Sequence, residues 1–176
     1  IAAVFTYNLC VRTGAMDVIG SMITSISSDR RLLALLVAWC FGGFMEGMAG
    51  FGTAVAIPAG MLAGLGFEAV PAVLICLLAN GVPTPYGSIG IPTVSVADLV
   101  GLDSLHLATV QLVQLAPFFV AMPLLIVLVA GRVADDQGNV ASVSERLHGV
   151  AGVALLSGVS FVGAALVVAM FVGPEL

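Results

Sequence analysis

The sequence runs to 176 residues, 60% of them hydrophobic and only 9% charged, with a formal net charge of −5 and a mean hydropathy of +1.19. A water-soluble domain needs more polar cover than that, so lipid must be the solvent for much of the chain. An acidic balance without a basic cluster beyond Arg30 and Arg31 excludes nucleic acid as a partner, and apolar runs as long as 150–172 exclude the short alternating strands of a membrane β-barrel.

The chain opens on Ile1-Ala-Ala-Val-Phe and closes on Gly173-Pro-Glu-Leu, with no basic leader, and reads as an internal segment of something longer. Residues 1–11 look like the tail of a helix that Arg12 ends. From Thr13, the expected N-cap, Met16, Ile19, Met22, Ile23 and Ile26 recur at helical spacing opposite Asp17, Ser21, Thr24 and Ser25. That pattern predicts an amphipathic helix at the interface or along a polar cavity. Ser27-Ser-Asp-Arg-Arg is a turn whose arginines point to the cytoplasmic side.

Residues 32–67 stay apolar for too long to be one span, since at 1.5 Å per residue they would reach roughly 50 Å against a hydrocarbon core of about 30 Å. The break falls at Gly47-Met-Ala-Gly-Phe-Gly52, with Thr53 placed to start a new helix that turns at Gly64-Leu-Gly-Phe-Glu68. Whether 53–64 is re-entrant or crosses completely stays open. A third apolar piece, 69–82, is short and ends in Pro83-Thr-Pro-Tyr-Gly-Ser-Ile-Gly-Ile-Pro92, where three prolines and two glycines forbid regular helix. Residues 93–105, with Asp98 and Asp103, read as a loop or short surface helix. Residues 105–130 form a transmembrane helix with Pro117 and Pro123 as expected kinks, 132–148 a polar loop, and 150–172 the most lipid-like span. The expected fold is therefore an all-α polytopic membrane protein with five or six embedded helical pieces, two of them broken or re-entrant. The chain 1–176 forms one transmembrane unit without soluble domains.

Non-helical backbone in hydrocarbon is tolerated only where protein or a wet cavity satisfies it. Two breaks so close together imply a cavity, and Gly/Pro-interrupted hydrophobic segments are the usual sequence mark of a transporter binding site, where helix N-termini face an anion. Glu46 is the sharpest residue. It shares a helical face with Gly42 and Gly50, where another backbone comes close, and intramembrane acids are by default ion or proton sites. The bland alternative is a structural carboxyl bonded to the backbone of the following loop. Asn80 either coordinates substrate or caps the carbonyls freed before Pro83. Thr84, Tyr86 and Ser88 add hydroxyls, and Gln111 and Gln114 add amides on the next helix. Arg12 is the cation with apolar sequence on its N-terminal side, either gripping a carboxylate or snorkelling to lipid phosphates.

Cys10, Cys40 and Cys76 have no C-x-x-C spacing and read as buried hydrophobes, so neither a disulfide, a metal nor a cofactor is expected. His106 and His148 are isolated at helix ends. An intramembrane hydrolase built on Ser88 and His106 is disfavoured because Gly87-Ser-Ile-Gly does not match G-x-S-x-G and H-E-x-x-H is missing, so catalytic residues are not expected. A passive channel or uniporter is the remaining alternative.

These residues resemble the lactate permease family of bacterial proton-linked transporters. The resemblance rests on Gly43-Phe-Met-Glu-Gly-Met-Ala-Gly-Phe-Gly-Thr-Ala-Val-Ala-Ile, on Ala79-Asn80, Pro83, Gly87 and Gly90-Ile-Pro92, and on Phe171-Val-Gly-Pro-Glu-Leu. It implies uptake of a short monocarboxylate such as lactate or glycolate together with a proton, across the inner membrane. Combined with the cavity argument, it makes Glu46 the proton-coupling residue and Gly50, Phe51, Gly52, Thr53, Asn80, Tyr86, Ser88, Gly90 and Arg12 the candidate substrate-binding set. The chain departs from the family pattern at Pro85 and Tyr86, inside the second break.

Overall fold

The computed structural model describes residues 9, 12–50, 52–132 and 141–174. Most of the expected 1–11 helix tail, Phe51 and residues 133–140 of the polar loop lie outside them. Helix α1 spans Ala15–Ile26 and starts at Gly14, whose φ of 74° is left-handed. Thr13, expected as the cap, instead donates its hydroxyl to the Leu9 carbonyl at 2.9 Å. A glycine in the left-handed region makes that entry turn without steric cost.

Helix α2, Arg30–Ala49, is capped by the Asp29 carboxylate, which accepts the Arg31 amide at 2.9 Å. It is π-helical over Leu35–Phe41, a winding that brings Trp39 to within 6.3 Å of the Phe119 ring and 5.6 Å of Phe161. α2 stops at Gly50, whose φ of 55° and ψ of −160° are open essentially to glycine alone. Helix α3, Thr53–Gly64, leaves from Gly52, φ 91°. Its far end returns to where α2 began. Arg30 donates from Nη2 to the Gly66 carbonyl at 2.7 Å, and its guanidinium lies 4.5 Å above the Phe67 ring. α2 and α3 thus form a hairpin whose two outer ends lie together, with the reversal between Gly50 and Gly52.

Helix α4, Ala69–Asn80, leads into a 3₁₀ turn, Thr84–Tyr86, and then α5, Gly87–Val100, with a 68° bend between the two halves. Ser88, Ile89 and Gly90 are all left-handed, so regular winding resumes at Ile91 and the second break covers 81–90. Residues 93–100, expected as a loop or short surface helix, continue α5. The loop shrinks to 101–103, where left-handed Gly101 ends the helix. Helix α6, Ser104–Ala130, is continuous through Pro117 and Pro123. A short α7, Val143–Leu147, closed by a Ser142/Glu145 capping box, precedes α8, Ala151–Phe171. Apart from α1 and α7, the described residues form six apolar helical pieces. α2, α6 and α8 are each long and apolar enough to cross a membrane alone, and α4 and α5 reach that length only together, across the bend.

α8 packs on α6 through the small residues Ala154, Gly158, Ala165 and Ala169 and leaves Leu156, Val159, Val167 and Phe171 on its open side. Small residues toward the partner and large apolar ones outward are what lipid-solvated helices require. At the arginine face, Arg31 pairs with Asp29 at 2.7 Å and donates from Nη1 to the carbonyls of Glu145, Arg146 and His148. This clamp satisfies the C-terminal carbonyls of α7 and joins the 27–31 turn to the 141–148 loop. Arg31 holds the Asp29 carboxyl below its ordinary value of 3.8. The first turn and the second loop, which carry Arg30, Arg31 and Arg146, therefore lie side by side.

Candidate functional site at the junction of two helix breaks

The two breaks meet. Ser88 donates its hydroxyl to the Ala49 carbonyl at 3.0 Å, tying the second break to the C-terminus of α2. A Cβ on Gly50 would collide with the Ser88 hydroxyl and lie 3.1 Å from the Ser88 amide nitrogen; one on Gly87 would collide with Glu46 Oε1 and lie 3.2 Å from its Cδ. A side chain at either position would displace the Ser88 hydroxyl or the Glu46 carboxyl, and Gly50 is also required by its backbone conformation.

Between the breaks lies a cavity of about 90 Å³ lined by Glu46, Gly50, Gly52, Asn80, Thr84, Gly87, Ser88 and Pro92. Glu46 is 2% exposed, and its Oε2 is buried without a hydrogen-bond partner, as is Asn80 Oδ1. The alternative role for Glu46, a carboxyl satisfied by the backbone after it, does not account for Oε2. The Gly50 amide instead closes α2 on the Glu46 carbonyl at 3.0 Å. Thr84 donates its hydroxyl to the Asn80 carbonyl at 2.8 Å, which caps the end of α4 and leaves the Asn80 side chain free of that duty.

Of the residues singled out from sequence, Glu46, Gly50, Gly52, Asn80 and Ser88 come together here. Thr53 begins α3 next to this group without lining the cavity. Gly90 faces elsewhere, since a Cβ there would collide with the Pro174 carbonyl. Tyr86 is buried and donates its hydroxyl to the Ala108 carbonyl at 2.7 Å, fastening the break to α6. Arg12 is exposed beside α1, and Phe51 lies outside the described residues. Gln111 also serves the scaffold. Its amide oxygen lies 2.8 Å from the Thr93 hydroxyl, which also lies 2.8 Å from the Pro85 carbonyl. The single Thr93 hydroxyl proton is thus placed between the Gln111 amide oxygen and the Pro85 carbonyl, tying the second break to α6. Thr84, Gly87 and Pro92 line the cavity and were not in the expected set. Composition gives no signal for Gly87, because its role is to make room for a residue 41 positions away.

Among the described residues, no group of three or more His, Cys, Asp or Glu gathers to hold a metal. A second, apolar hollow of about 510 Å³ lies on the other side of Tyr86, between α2 and α8.

Apolar helices long enough to span, a helical hairpin and a buried polar cavity walled by two helix breaks define a multi-pass α-helical membrane protein. The chain belongs to the L-lactate permease family, whose model matches residues 1–176. It is 43% identical to the L-lactate permease of Streptococcus iniae and 40% identical to that of Bacillus subtilis, in both cases over 100% of this chain and over 35% and 29% of those proteins. It is 36% identical to the glycolate permease GlcA of Escherichia coli over 100% of this chain and 30% of that protein. The chain thus spans about a third of the length of the curated relatives it matches. No solved structure matches.

Proposed function

We propose that this segment carries the substrate and proton site of a secondary active transporter that takes up a small 2-hydroxy monocarboxylate, such as lactate or glycolate, by proton symport. The observation that carries the reading is the cavity at the junction of the breaks, into which Glu46 brings an unpartnered carboxyl oxygen. A cavity of about 90 Å³ accepts several water-sized groups at roughly 10–15 Å³ each, the scale of a small hydroxy acid. The lactate and glycolate permeases among the relatives support that substrate class.

The coupling follows from electrostatics. With Glu46 ionised, a substrate carboxylate about 4 Å away is opposed by roughly 4 kcal/mol at an effective dielectric of about 20. Protonation removes that repulsion, so proton and anion enter together. The N-terminus of α3 and the backbone of residues 88–92 supply the positive dipole ends for the carboxylate. Arg12, exposed and away from the cavity lining, acts as an interfacial anchor. The face gathering Arg30, Arg31 and Arg146 is cytoplasmic by the positive-inside rule.

Uptake of labelled lactate by the whole protein in proteoliposomes, with and without an inward proton gradient, tests the mechanism. Accumulation above the outside concentration only with the gradient is expected. Uptake indifferent to the gradient would replace symport by a uniporter or channel.

A further inference from the structure

Glu46 Oε2 and Asn80 Oδ1 are the buried side-chain polar atoms without a hydrogen-bond partner among the described residues, and both residues line the same cavity. The hydroxyls beside them are already committed, Ser88 to the Ala49 carbonyl and Thr84 to the Asn80 carbonyl, and a hydroxyl has one proton to give. Neither can satisfy the Asn80 oxygen. An amide oxygen is acceptor-only and costs about 1–3 kcal/mol when buried unpaired, so when the single proton of Glu46 is given to the occupant of this cavity, the occupant must bring a donor for Asn80. A carboxylate brings none. A hydroxyl on the adjacent carbon does, and it can at the same time accept a hydrogen bond from a protonated carboxyl.

We infer that Asn80 determines specificity: its Oδ1 accepts the hydrogen bond of the substrate's 2-hydroxyl while protonated Glu46 donates to the same hydroxyl oxygen. The pair then selects 2-hydroxy acids over 2-oxo acids, which can only accept, and over unsubstituted acids, which do neither. With the amide turned the other way, nitrogen toward the cavity, a 2-oxo acid would serve as well as a hydroxy acid, so the 2-oxo acid decides the orientation. The inference rests on the transport reading above. It adds to it which residue reads which group, and why substrate and proton are recognised together.

The test is competition against labelled lactate uptake by the whole protein in proteoliposomes, using glycolate, pyruvate and propionate. In the wild type, pyruvate and propionate are expected to compete on the order of tenfold or more less well than glycolate, because a site built for a hydroxyl rejects the analogue without it. Asn80→Leu should lose lactate uptake while retaining propionate uptake, shrinking the lactate-to-propionate preference by on the order of tenfold. Retained propionate uptake also shows that this variant folds. Pyruvate or propionate competing as well as glycolate in the wild type overturns the inference while leaving lactate transport intact. So does an unchanged preference in Asn80→Leu, or equal loss of both acids. Wild-type protein that takes up neither lactate nor glycolate removes the transport reading itself.

Discussion

Glycines bring two pairs of elements together in this molecule, and they do so for opposite reasons. At Gly158, α8 presses against α6: an added Cβ would lie 2.8 Å from the Phe119 carbonyl oxygen and 2.9 Å from the Val120 Cα. Only continuous helix backbone is accommodated there, next to the stacked Phe119 and Phe161 rings, 4.9 Å apart. At Gly50 and Gly87 the room is filled by the Ser88 hydroxyl and the Glu46 carboxyl. Both contacts shorten the distance between elements in an apolar chain. The first keeps every backbone group inside a helix and makes scaffold. The second frees backbone and side-chain polar groups toward a cavity, which lipid would not tolerate and a hydrophilic substrate requires.

Adding one methyl group on each side of the comparison separates the two roles. Gly87→Ala and Gly50→Ala are expected to lower lactate uptake by on the order of a hundredfold or more, since a displacement of about 1 Å at a binding site is enough for that. The check is initial uptake rate per inserted protein in proteoliposomes. Gly158→Ala should instead destabilise by roughly 1–3 kcal/mol through overpacking, read as a lower melting temperature in detergent, while the lactate-to-propionate preference stays unchanged. A preference altered by Gly158→Ala would join the scaffold to the site and blur the distinction.

Tyr86 sharpens the boundary between the regions. It sits inside the second break, yet its hydroxyl is spent on the Ala108 carbonyl of α6. Tyr86→Phe should therefore cost about 1 kcal/mol of stability and leave the apparent affinity for lactate unchanged. An affinity loss without a stability loss would return Tyr86 to the substrate.

The smallest effect belongs to the arginine face. The Asp29 carboxyl titrates below 3.8 in the folded protein because Arg31 holds it. A lowered folded value contributes stability above about pH 3.8 that fades as pH falls through it. Backbone amide exchange in 141–148 is expected to quicken as pH drops from above 3.8 to below the lowered value, after correction for intrinsic exchange. Asp29→Asn should remove that pH dependence.

The breaks themselves are legible from local chemistry. Gly50, Gly52 and the proline-rich run from Pro83 impose backbone geometry wherever they stand, and the length of 32–67 demands a reversal. Glu46 is legible for a similar reason, as a carboxyl among apolar and glycine neighbours. What sequence does not carry is which polar group meets which. Ser88 bonds Ala49 and Tyr86 bonds Ala108, and the Arg30 bond to Gly66 brings the end of α3 back to the start of α2. These contacts join positions far apart in the chain. The extension of α5 over 93–100 was hidden because Asp98 and the prolines mask a helix whose buried side is only Thr93 and Ala97.

Glu46→Gln puts the central claim to its most direct test. The amide is a neutral carboxamide of nearly the same shape, so it mimics a permanently protonated acid and keeps the cavity filled. In proteoliposomes, proton-driven accumulation of lactate is expected to disappear while exchange of labelled for unlabelled lactate at equal concentration persists. Accumulation at the wild-type level by that variant would contradict the claim and leave Glu46 without a part in coupling.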